Sequence, residues 1–189
     1  EGDRREKDAG RGKGGASLMN RIGQFEKVSF QQFEEGWTDC FGEKIREACR
    51  AVYEKISLPR RATKGSAGYD FALPCPVMLA PGETIKIPTG IRVRMEEGWL
   101  LALFPRSGLG FKYRMQMNNT VGIVDSDYYG SDNEGHIFAK ITNDSNEGLT
   151  MKLLAGTAFM QGIFLPFGIT EDDQAEAERN GGFGSTDRG

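Results

Sequence analysis

The sequence predicts an all-β domain of the sandwich or barrel type, preceded by a short helical extension. From Pro59 onward, short apolar runs alternate with turn-forming dipeptides such as Pro81-Gly82 and Glu97-Gly98, at the spacing of an antiparallel β fold. The 26 glycines among 189 residues agree with many tight turns. Helical periodicity stops at Pro59. A chain of this length has room for one domain with a substantial core.

Residues 1–18 are predicted to be a disordered tail or an upstream remnant. The segment from Glu1 to Ser17 alternates charges with glycines and holds no large apolar residue. It therefore cannot bury enough surface to offset the entropy lost on ordering. Met19 is the first methionine and a candidate for the natural start.

Residues 19–57 are predicted to form a helical extension packed on the main domain. Ser29 and Gln32 have the spacing of a capping box, which favours a helix start. That first helix carries Phe30, Phe33 and Trp37. A second helix is predicted from an apolar stripe with spacings of four, three and four residues. The stripe consists of Ile45, Cys49, Val52 and Ile56.

Residues 58–170 are predicted to form the β domain. Apolar residues alternate with polar ones around Ile85 and Ile87 and from Ile91 to Met95, which is typical of half-buried strands. Three nearly continuous apolar runs are predicted as core strands, at residues 99–104, 137–142 and 159–165. Residues 171–189, acidic and then rich in glycine, are predicted to be a flexible arm.

Composition excludes several classes of function. The formal net charge of -3 argues against a general nucleic-acid binder, which usually has a basic face. The three cysteines form no CxxC pair, so we expect reduced thiols and no zinc site. No apolar run has the length of a membrane span, and no signal peptide is evident. We therefore expect a cytoplasmic protein that acts on a small ligand.

The single histidine, His136, excludes a site built from several histidines. It follows the Gly/Asn-rich stretch Ser131–Gly135, which resembles a loop, so we expect an exposed or purely structural side chain. A general base is therefore expected to be a carboxylate.

Four segments combine small, hydroxyl and charged residues beyond what a turn needs. Residues 66–70 place an acid after a glycine, and the turn at residues 105–108 places a guanidinium and a hydroxyl beside glycine backbone, which suits phosphate oxygens. Residues 122–128 end a strand with two carboxylates and a phenol, and residues 181–186 join one aromatic ring to two hydroxyls. Each segment alone is compatible with an ordinary turn or a frayed tail.

Taken together and in this order, the segments resemble the motif set of the trimeric dUTPase family, over about Leu58 to Thr186. Ala-Gly-Tyr-Asp at 67–70 resembles motif I, Arg-Ser-Gly at 106–108 motif II, and Gly-Ile-Val-Asp-Ser-Asp-Tyr at 122–128 motif III. Residues 156–161, followed by Pro166, resemble motif IV. Gly-Phe-Gly-Ser-Thr at 182–186 resembles motif V.

The resemblance implies a jelly-roll subunit of the dUTPase-like β-clip type, a homotrimer, and active sites shared between subunits. It also implies Mg²⁺-dependent hydrolysis of dUTP to dUMP and pyrophosphate, which removes dUTP from the nucleotide pool and supplies dUMP for thymidylate synthesis. A phosphoanhydride needs charge neutralisation and an aimed water more than covalent help from the protein, so a shortage of histidine is no obstacle.

The resemblance also assigns roles to individual residues. Asp125 resembles the carboxylate that orients and deprotonates the attacking water, and Tyr128 the ring that excludes a 2′-hydroxyl. Asp70 resembles the acid that meets the hydration shell of magnesium, without direct coordination. The uracil hairpin is expected to comprise Asn119, Gly122, Ile123 and Val124, with Phe138 as a further backbone contact. The phosphate grip is expected to comprise Arg106, Ser107, Gly108 and Gln161. The arm is expected to contribute Arg179, Phe183, Gly184, Ser185 and Thr186 to a neighbour's site.

The sequence departs from the family pattern in several places. Motif V is one residue shorter than usual, which affects the reach of Arg179, and Asp187 stands where glycine is usual. The stretch Tyr129–His136 is longer than the usual tight turn, so we expect its hairpin to extend. The helical extension has no counterpart in the minimal family subunit and is a candidate site for a protein partner.

Two other functions remain open at this point. A dCTP deaminase resembles this fold and shares an Arg-Ser turn, but it needs an acid placed for the cytosine ring. A regulator that senses dUTP would bind the nucleotide without releasing pyrophosphate.

Overall fold

The computed structural model describes residues 20–42 and 46–177, and most of their regular structure is β-strand. The predicted all-β domain with a short helical region before it is confirmed. The helices are α1 (Phe30–Phe41), α2 (Arg46–Lys55) and α3 (Ser107–Tyr113), with a 3-10 helix at Ser126–Gly130. The strands are β1 (Gly23–Lys27), β2 (Arg60–Arg61), β3 (Tyr69–Ala72), β4 (Val77–Leu79), β5 (Thr84–Pro88), β6 (Ile91–Met95), β7 (Trp99–Pro105), β8 (Gln116–Met117), β9 (Gly122–Asp125), β10 (Phe138–Thr142), β11 (Met151–Leu153) and β12 (Ala158–Pro166).

The strands pair only in antiparallel fashion within the described residues. The largest sheet has the order β2-β3-β12-β7-β9, and a second has the order β5-β10-β8. Two further pairs, β1-β6 and β11-β4, complete the arrangement. Most neighbours in these sheets are distant in sequence, as in a jelly roll. The three predicted core strands correspond to β7, β10 and β12.

One hydrophobic core joins the sheets. Strands β7 and β12 contribute side chains that are at most 1% exposed, and the alternation predicted for β5 and β6 places Ile87, Ile91 and Val93 in the same core. Burial of aliphatic side chains of this size stabilises the fold by about 1.5–3 kcal/mol each. The polar residues between them, including Lys86 on β5, face outward.

The N-terminal extension begins with a strand that the sequence analysis missed. Strand β1 pairs with β6, with Phe25 opposite Val93, and Phe25 contacts Phe71 edge-on at 5.6 Å between ring centroids. The extension is therefore joined to the β domain by a ladder of hydrogen bonds as well as by side-chain packing. Strand β1 could not be predicted because Phe25 is the only buried side chain among its five residues, so the sequence shows no clear alternation.

The two predicted helices of the extension are present and pack on each other. Ser29 caps α1, and its side chain accepts a hydrogen bond from the Gln32 backbone N–H at 3.1 Å. The stripe of α2 buries Cys49 against Phe33 and Trp37 in a small second core. Ile56, just after α2, contacts both cores. Ile45, the first residue of the predicted stripe, lies outside the described residues, as does the predicted tail at 1–18.

The hairpin that was expected to extend through Tyr129–His136 does not form, so that prediction is wrong. Residues 126–130 form a 3-10 helix, and turns follow as far as Gly135. The loop is held by both strands of the β1-β6 pair. The Tyr129 hydroxyl donates to Glu26 of β1 at 2.9 Å, and the guanidinium of Arg92 in β6 lies 3.6 Å from the centroid of the Tyr129 ring. These contacts favour a compact loop over two extended strands.

His136 is fully buried, so the exposed alternative is wrong and the structural one is confirmed. Its Nε2 accepts a hydrogen bond from the Gly90 backbone N–H at 2.9 Å. Burial, only partly opposed by the nearby Glu134 carboxylate, lowers the pKa of His136 to about 3. The side chain is therefore neutral at physiological pH.

None of the helices in the described residues has the length and apolar character of a membrane span. Cys40, Cys49 and Cys75 are free thiols. Burial raises the pKa of the Cys40 thiol to about 11, which makes the reactive thiolate scarce at neutral pH.

Candidate active site

The outer face of strands β5 and β10 forms the floor of a cavity of about 460 Å³, a size suited to a small-molecule ligand. Lys86 and Lys140 lie directly opposite each other in the register of these strands, and both line the cavity. Phe138, next to Lys140 on the same face of β10, lines it towards α1. The remaining lining residues are Asn118, Asn119 and Asn133. The sequence analysis predicted two of the six, Asn119 and Phe138.

The turn between β8 and β9 brings Asn119 to the cavity. Thr120 has a φ of 64°, and the Val121 backbone N–H donates to the Asn119 carbonyl at 2.7 Å. Asn118 is fixed to the floor because the Thr142 hydroxyl donates to its side-chain oxygen at 2.9 Å. The turn therefore has a defined position relative to β10.

Strand β9 contains the predicted base-binding backbone at Gly122, Ile123 and Val124. It is the edge strand of its sheet and pairs only with β7 in the described part of the chain. An edge strand presents one row of backbone N–H and C=O groups without a strand partner. Val124 is buried and Ile123 is 44% exposed, so the strand is anchored on one face and accessible on the other.

Asp125 and Tyr128 follow directly on this strand. Asp125 is the last residue of β9 and is partly exposed. Tyr128 is 1% exposed, and its hydroxyl donates to the His136 carbonyl at 2.8 Å. The same hydroxyl accepts a hydrogen bond from the side chain of Asn133 at 2.8 Å. Because Asn133 lines the cavity, its hydrogen bond connects the Tyr128 hydroxyl to a residue of the cavity wall.

A second cluster contains Asp70, Arg106 and Gln161. Strand β12 lies between β3 and β7, and Gln161 is opposite both Asp70 and Phe104. The Arg106 guanidinium donates to the Asp70 carboxylate as an ion pair. Gly68 lies beside this cluster, where a Cβ atom would be 2.4 Å from the Gln161 side-chain oxygen. Only glycine therefore fits this position without moving Gln161.

The prediction of a turn at residues 105–108 is wrong, because a helix begins within this segment. Ser107 is instead the first residue of α3, with Arg106 as its N-cap in an extended conformation. Ser107 and Gly108 nevertheless follow directly on Arg106 in the second cluster. Apart from its chain neighbours and the backbone of its own helix, no atom lies within 4 Å of the position of a Gly108 Cβ, so other parts of the described chain do not cover it.

Strand β7 separates Asp125 from the second cluster. Asp125 is opposite Leu100, near the start of β7, while Arg106 follows Pro105 at its end. From Leu100 to Arg106 there are six residue steps, and at about 3.3 Å each they amount to about 20 Å. One chain therefore does not bring the Asp125 carboxylate to the Arg106 guanidinium.

The structure adds Lys86, Asn118, Asn133 and Lys140 to the predicted set. Both lysines alternate with buried residues, and that pattern only predicts an outward-facing side chain. Their shared cavity depends on the register of two strands more than fifty residues apart, which no local signal encodes. The predicted residues Arg179, Phe183, Gly184, Ser185 and Thr186 lie outside the described residues.

Comparison with known proteins identifies the family. Residues 54–187 match the model of the dUTPase family. The chain belongs to this family. It is 41% identical over 134 residues to the deoxyuridine 5'-triphosphate nucleotidohydrolase of Lactococcus lactis, an alignment that covers 69% of this chain and 88% of that protein. It is 40% identical over 140 residues to the enzyme of the same name from Hahella chejuensis, covering 70% of this chain and 88% of that protein.

Solved structures agree with this family assignment. The dUTPase from Streptococcus mutans matches with a TM-score of 0.56 and 33% identity, covering 78% of this chain and 98% of that chain. A dUTPase from phage phi11 of S. aureus, at 21% identity and a TM-score of 0.57, shares the fold and was described with a coordinated structural Mg(II) ion. The predicted dUTPase-like fold is confirmed. Residues 20–53 precede the part that matches the family model.

Proposed function

We propose that this chain hydrolyses dUTP to dUMP and pyrophosphate, removing dUTP from the nucleotide pool and supplying dUMP. The match of residues 54–187 to the dUTPase family, with relatives named deoxyuridine 5'-triphosphate nucleotidohydrolase, carries the proposal. The cavity supports it, because Phe138 offers an apolar ring to a base and Asn119 lies in the turn that leads into the edge strand β9. The free thiols support a cytoplasmic location.

The free edge of β9 is the proposed selector for uracil. Backbone groups of Gly122, Ile123 and Val124 would pair with the base, with Asn119 and Phe138 completing the pocket. Cytosine exchanges a donor and an acceptor on the equivalent edge. It would leave polar groups unpaired at a cost of about 1–3 kcal/mol each. The Tyr128 ring, fixed by two hydrogen bonds, would exclude a 2′-hydroxyl because it cannot retreat.

Asp125 is the proposed general base. A water oxygen would form a bond to the α-phosphorus while its proton passes to the Asp125 carboxylate. The bond from the α-phosphorus to the bridging oxygen would break, and pyrophosphate would leave with that oxygen. The end of β9 suits this role because the strand holds the backbone of Asp125 while its side chain stays accessible.

The second cluster is the proposed phosphate grip and is compatible with Mg²⁺. Arg106, Ser107, Gly108 and Gln161 would bind phosphate oxygens, and Asp70 would accept hydrogen bonds from water molecules around the ion. Mg²⁺ prefers oxygen ligands and keeps several waters, which fits a single carboxylate beside a phosphate site. Bound Mg²⁺ would neutralise phosphate charge during bond cleavage.

The separation along β7 supports a homotrimer with shared sites. Because Asp125 and Arg106 are about 20 Å apart along the strand of one chain, the proposed base and the proposed phosphate grip must come from different copies. The arm that contains Arg179, Phe183, Gly184, Ser185 and Thr186 would close the site of a further copy. To test this, Asp125→Asn trimers and trimers truncated after Arg179 are unfolded, mixed and refolded. Activity above both parents supports closure by a neighbouring copy. No recovery in mixed trimers, verified by native mass spectrometry, refutes it.

The hydrolase itself is tested by pyrophosphate release from dUTP, dCTP, dTTP and UTP, with and without Mg²⁺. We expect strong preference for dUTP and dependence on Mg²⁺. Asp125→Asn should retain dUTP binding and lose about two or more decades of kcat, the scale of general-base removal. Binding of dUTP by the wild-type protein without release of pyrophosphate would instead indicate a sensor. Release of ammonia from dCTP would indicate a deaminase.

A further inference from the structure

Helix α1 of the extension packs directly behind one wall of the cavity. Gly36 is buried on the inner face of this helix. A Cβ atom at Gly36 would be 2.8 Å from Cζ of Phe138 and 2.9 Å from Cε1 of His136. Carbon atoms in ordinary contact are about 3.5–4.0 Å apart. The helix backbone thus contacts the side of the Phe138 ring, and the missing side chain at Gly36 is what allows this close approach.

The start of α1 holds the loop that carries Asn133. The Ser29 backbone N–H and hydroxyl donate to the two carboxylate oxygens of Glu134, at 2.7 and 2.6 Å. Burial alone would raise the pKa of the Glu134 carboxyl, but these two hydrogen bonds and Arg92 lower it below its ordinary value. Glu134 is therefore a carboxylate at neutral pH and a strong acceptor. Its neighbour Asn133 lines the cavity and donates to the Tyr128 hydroxyl.

The end of α1 reaches the floor of the same cavity. Asp39 accepts a hydrogen bond from Lys86 at 2.7 Å, and the Lys86 ammonium lies 4.8 Å from the centroid of the Phe138 ring. This ion pair is solvent-exposed and contributes little to stability. It does, however, give Lys86 a preferred position opposite Lys140, whose like charge would otherwise repel it.

We propose that α1 is a positioning element of the nucleotide pocket. Gly36 sets the position of Phe138, and Ser29 sets that of Asn133 through Glu134. The inference rests on the proposed function, because it assigns the cavity to dUTP. Gly36 and Ser29 touch no substrate in this scheme, so they are positioning residues. Their substitution should change the affinity for the nucleotide more than the chemical step.

Gly36→Ala tests the first contact. The added methyl group forces Phe138 or α1 to retreat by about 0.7–1.2 Å to reach ordinary contact distance. We expect KM for dUTP and Kd for a non-hydrolysable dUTP analogue to rise by about fivefold or more, with kcat within about twofold, because a binding wall is displaced and the base is not. Gly168→Ala is the matched control, since no atom lies within 4 Å of its Cβ position. Unchanged KM and Kd in folded Gly36→Ala would overturn the proposal.

Ser29→Ala tests the second contact at an exposed position, where misfolding is not expected. It removes one hydrogen bond to Glu134 and the side-chain cap of α1. We expect KM and Kd to rise by about threefold, again with little change in kcat, because Glu134 keeps only one of its two bonds to Ser29 and holds Asn133 less tightly. Ser29→Thr keeps the hydroxyl and should restore wild-type values. If Gly36→Ala does not fold, this pair decides, and equal constants for Ser29→Ala and Ser29→Thr overturn the proposal.

The same measurements separate this inference from the proposed function. A wild-type protein that neither binds the analogue nor hydrolyses dUTP refutes the proposed function. A wild-type protein that does both, with constants that none of the α1 variants changes, refutes only the role of α1.

Discussion

His136 makes the stability of this protein depend on pH in a range where most side chains do not titrate. It is the only histidine of the chain and is fully buried. Its pKa falls from the ordinary 6.5 to about 3, mainly because burial disfavours the charged imidazolium. The nearby Glu134 carboxylate opposes this shift, and the Lys86 ammonium adds to it. The unfolded chain therefore binds a proton near pH 6.5, while the folded chain does not.

The sign and size of the effect follow from linkage. A depressed pKa in the folded state gives stability that is fully present above pH 6.5 and is lost as the pH falls towards 3. Lowering the pH from 7.5 to 5 should lower the free energy of unfolding by about 2 kcal/mol per subunit, because pH 5 lies about 1.5 units below the pKa of histidine in the unfolded chain. This value does not depend on the folded pKa as long as it lies below about 4. For a chain of this size, we expect Tm to fall by about 4–8 °C.

The assay is thermal unfolding at fixed protein concentration between pH 5.0 and 7.5, for the wild-type protein and for His136→Gln. Glutamine can accept the hydrogen bond from the Gly90 N–H, but it does not titrate. Its stability at pH 7.5 should be lower, and its pH dependence should be flatter by about 2 kcal/mol. Equal slopes for the two proteins would refute the reasoning, because the slope would then come from other groups.

Three further predictions concern single positions. Tyr128→Ala should narrow the ratio of kcat/KM between dUTP and UTP, because it removes the ring that would exclude a 2′-hydroxyl. An unchanged ratio in this variant would place the discrimination elsewhere. Gly68→Ala should lower kcat/KM for dUTP by about tenfold, because the added methyl group displaces the Gln161 amide. Gly65→Ala is the control, since the space around its Cβ position is open, and equal activity of the two variants would contradict the steric argument. Asn143→Ala should lower the free energy of unfolding by about 1–3 kcal/mol, measured by urea denaturation, because the buried Leu79 carbonyl and the partly buried Leu149 carbonyl lose their donor. A loss well below about 1 kcal/mol would show that these carbonyl groups find other partners.

Local sequence signals predicted the elements that depend on local physics. The alternation in β5 and β6 reported which side chains face the core, and Ser29 reported the start of α1. The motif segments were found because small and charged residues cluster beyond the needs of a turn. Their order along the chain, more than any single segment, indicated the family.

Features that depend on contacts between distant segments could not be predicted from the sequence. Strand β1 has one buried residue, and its partner β6 lies more than sixty residues away. His136 is buried because α1, about a hundred residues earlier in the chain, packs against its loop. The Gly/Asn-rich sequence before His136 instead favoured an exposed loop. The predicted capping box forms only in part. The Ser29 side chain accepts from the Gln32 N–H, but the Ser29 N–H donates to the Glu134 carboxylate instead of to the Gln32 side chain.

The same distant contacts define the cavity. The paired strands β5 and β10 form its floor, and the Phe138 ring, which contacts Gly36 of α1, forms its side wall. Thr142 of β10 fixes the turn between β8 and β9. Each contact joins segments that are distant in the sequence. A helix that looks like an appendage in the sequence is therefore a neighbour of the pocket in space. Removal of the extension should accordingly disturb nucleotide binding, although every residue that matches a dUTPase motif lies after it.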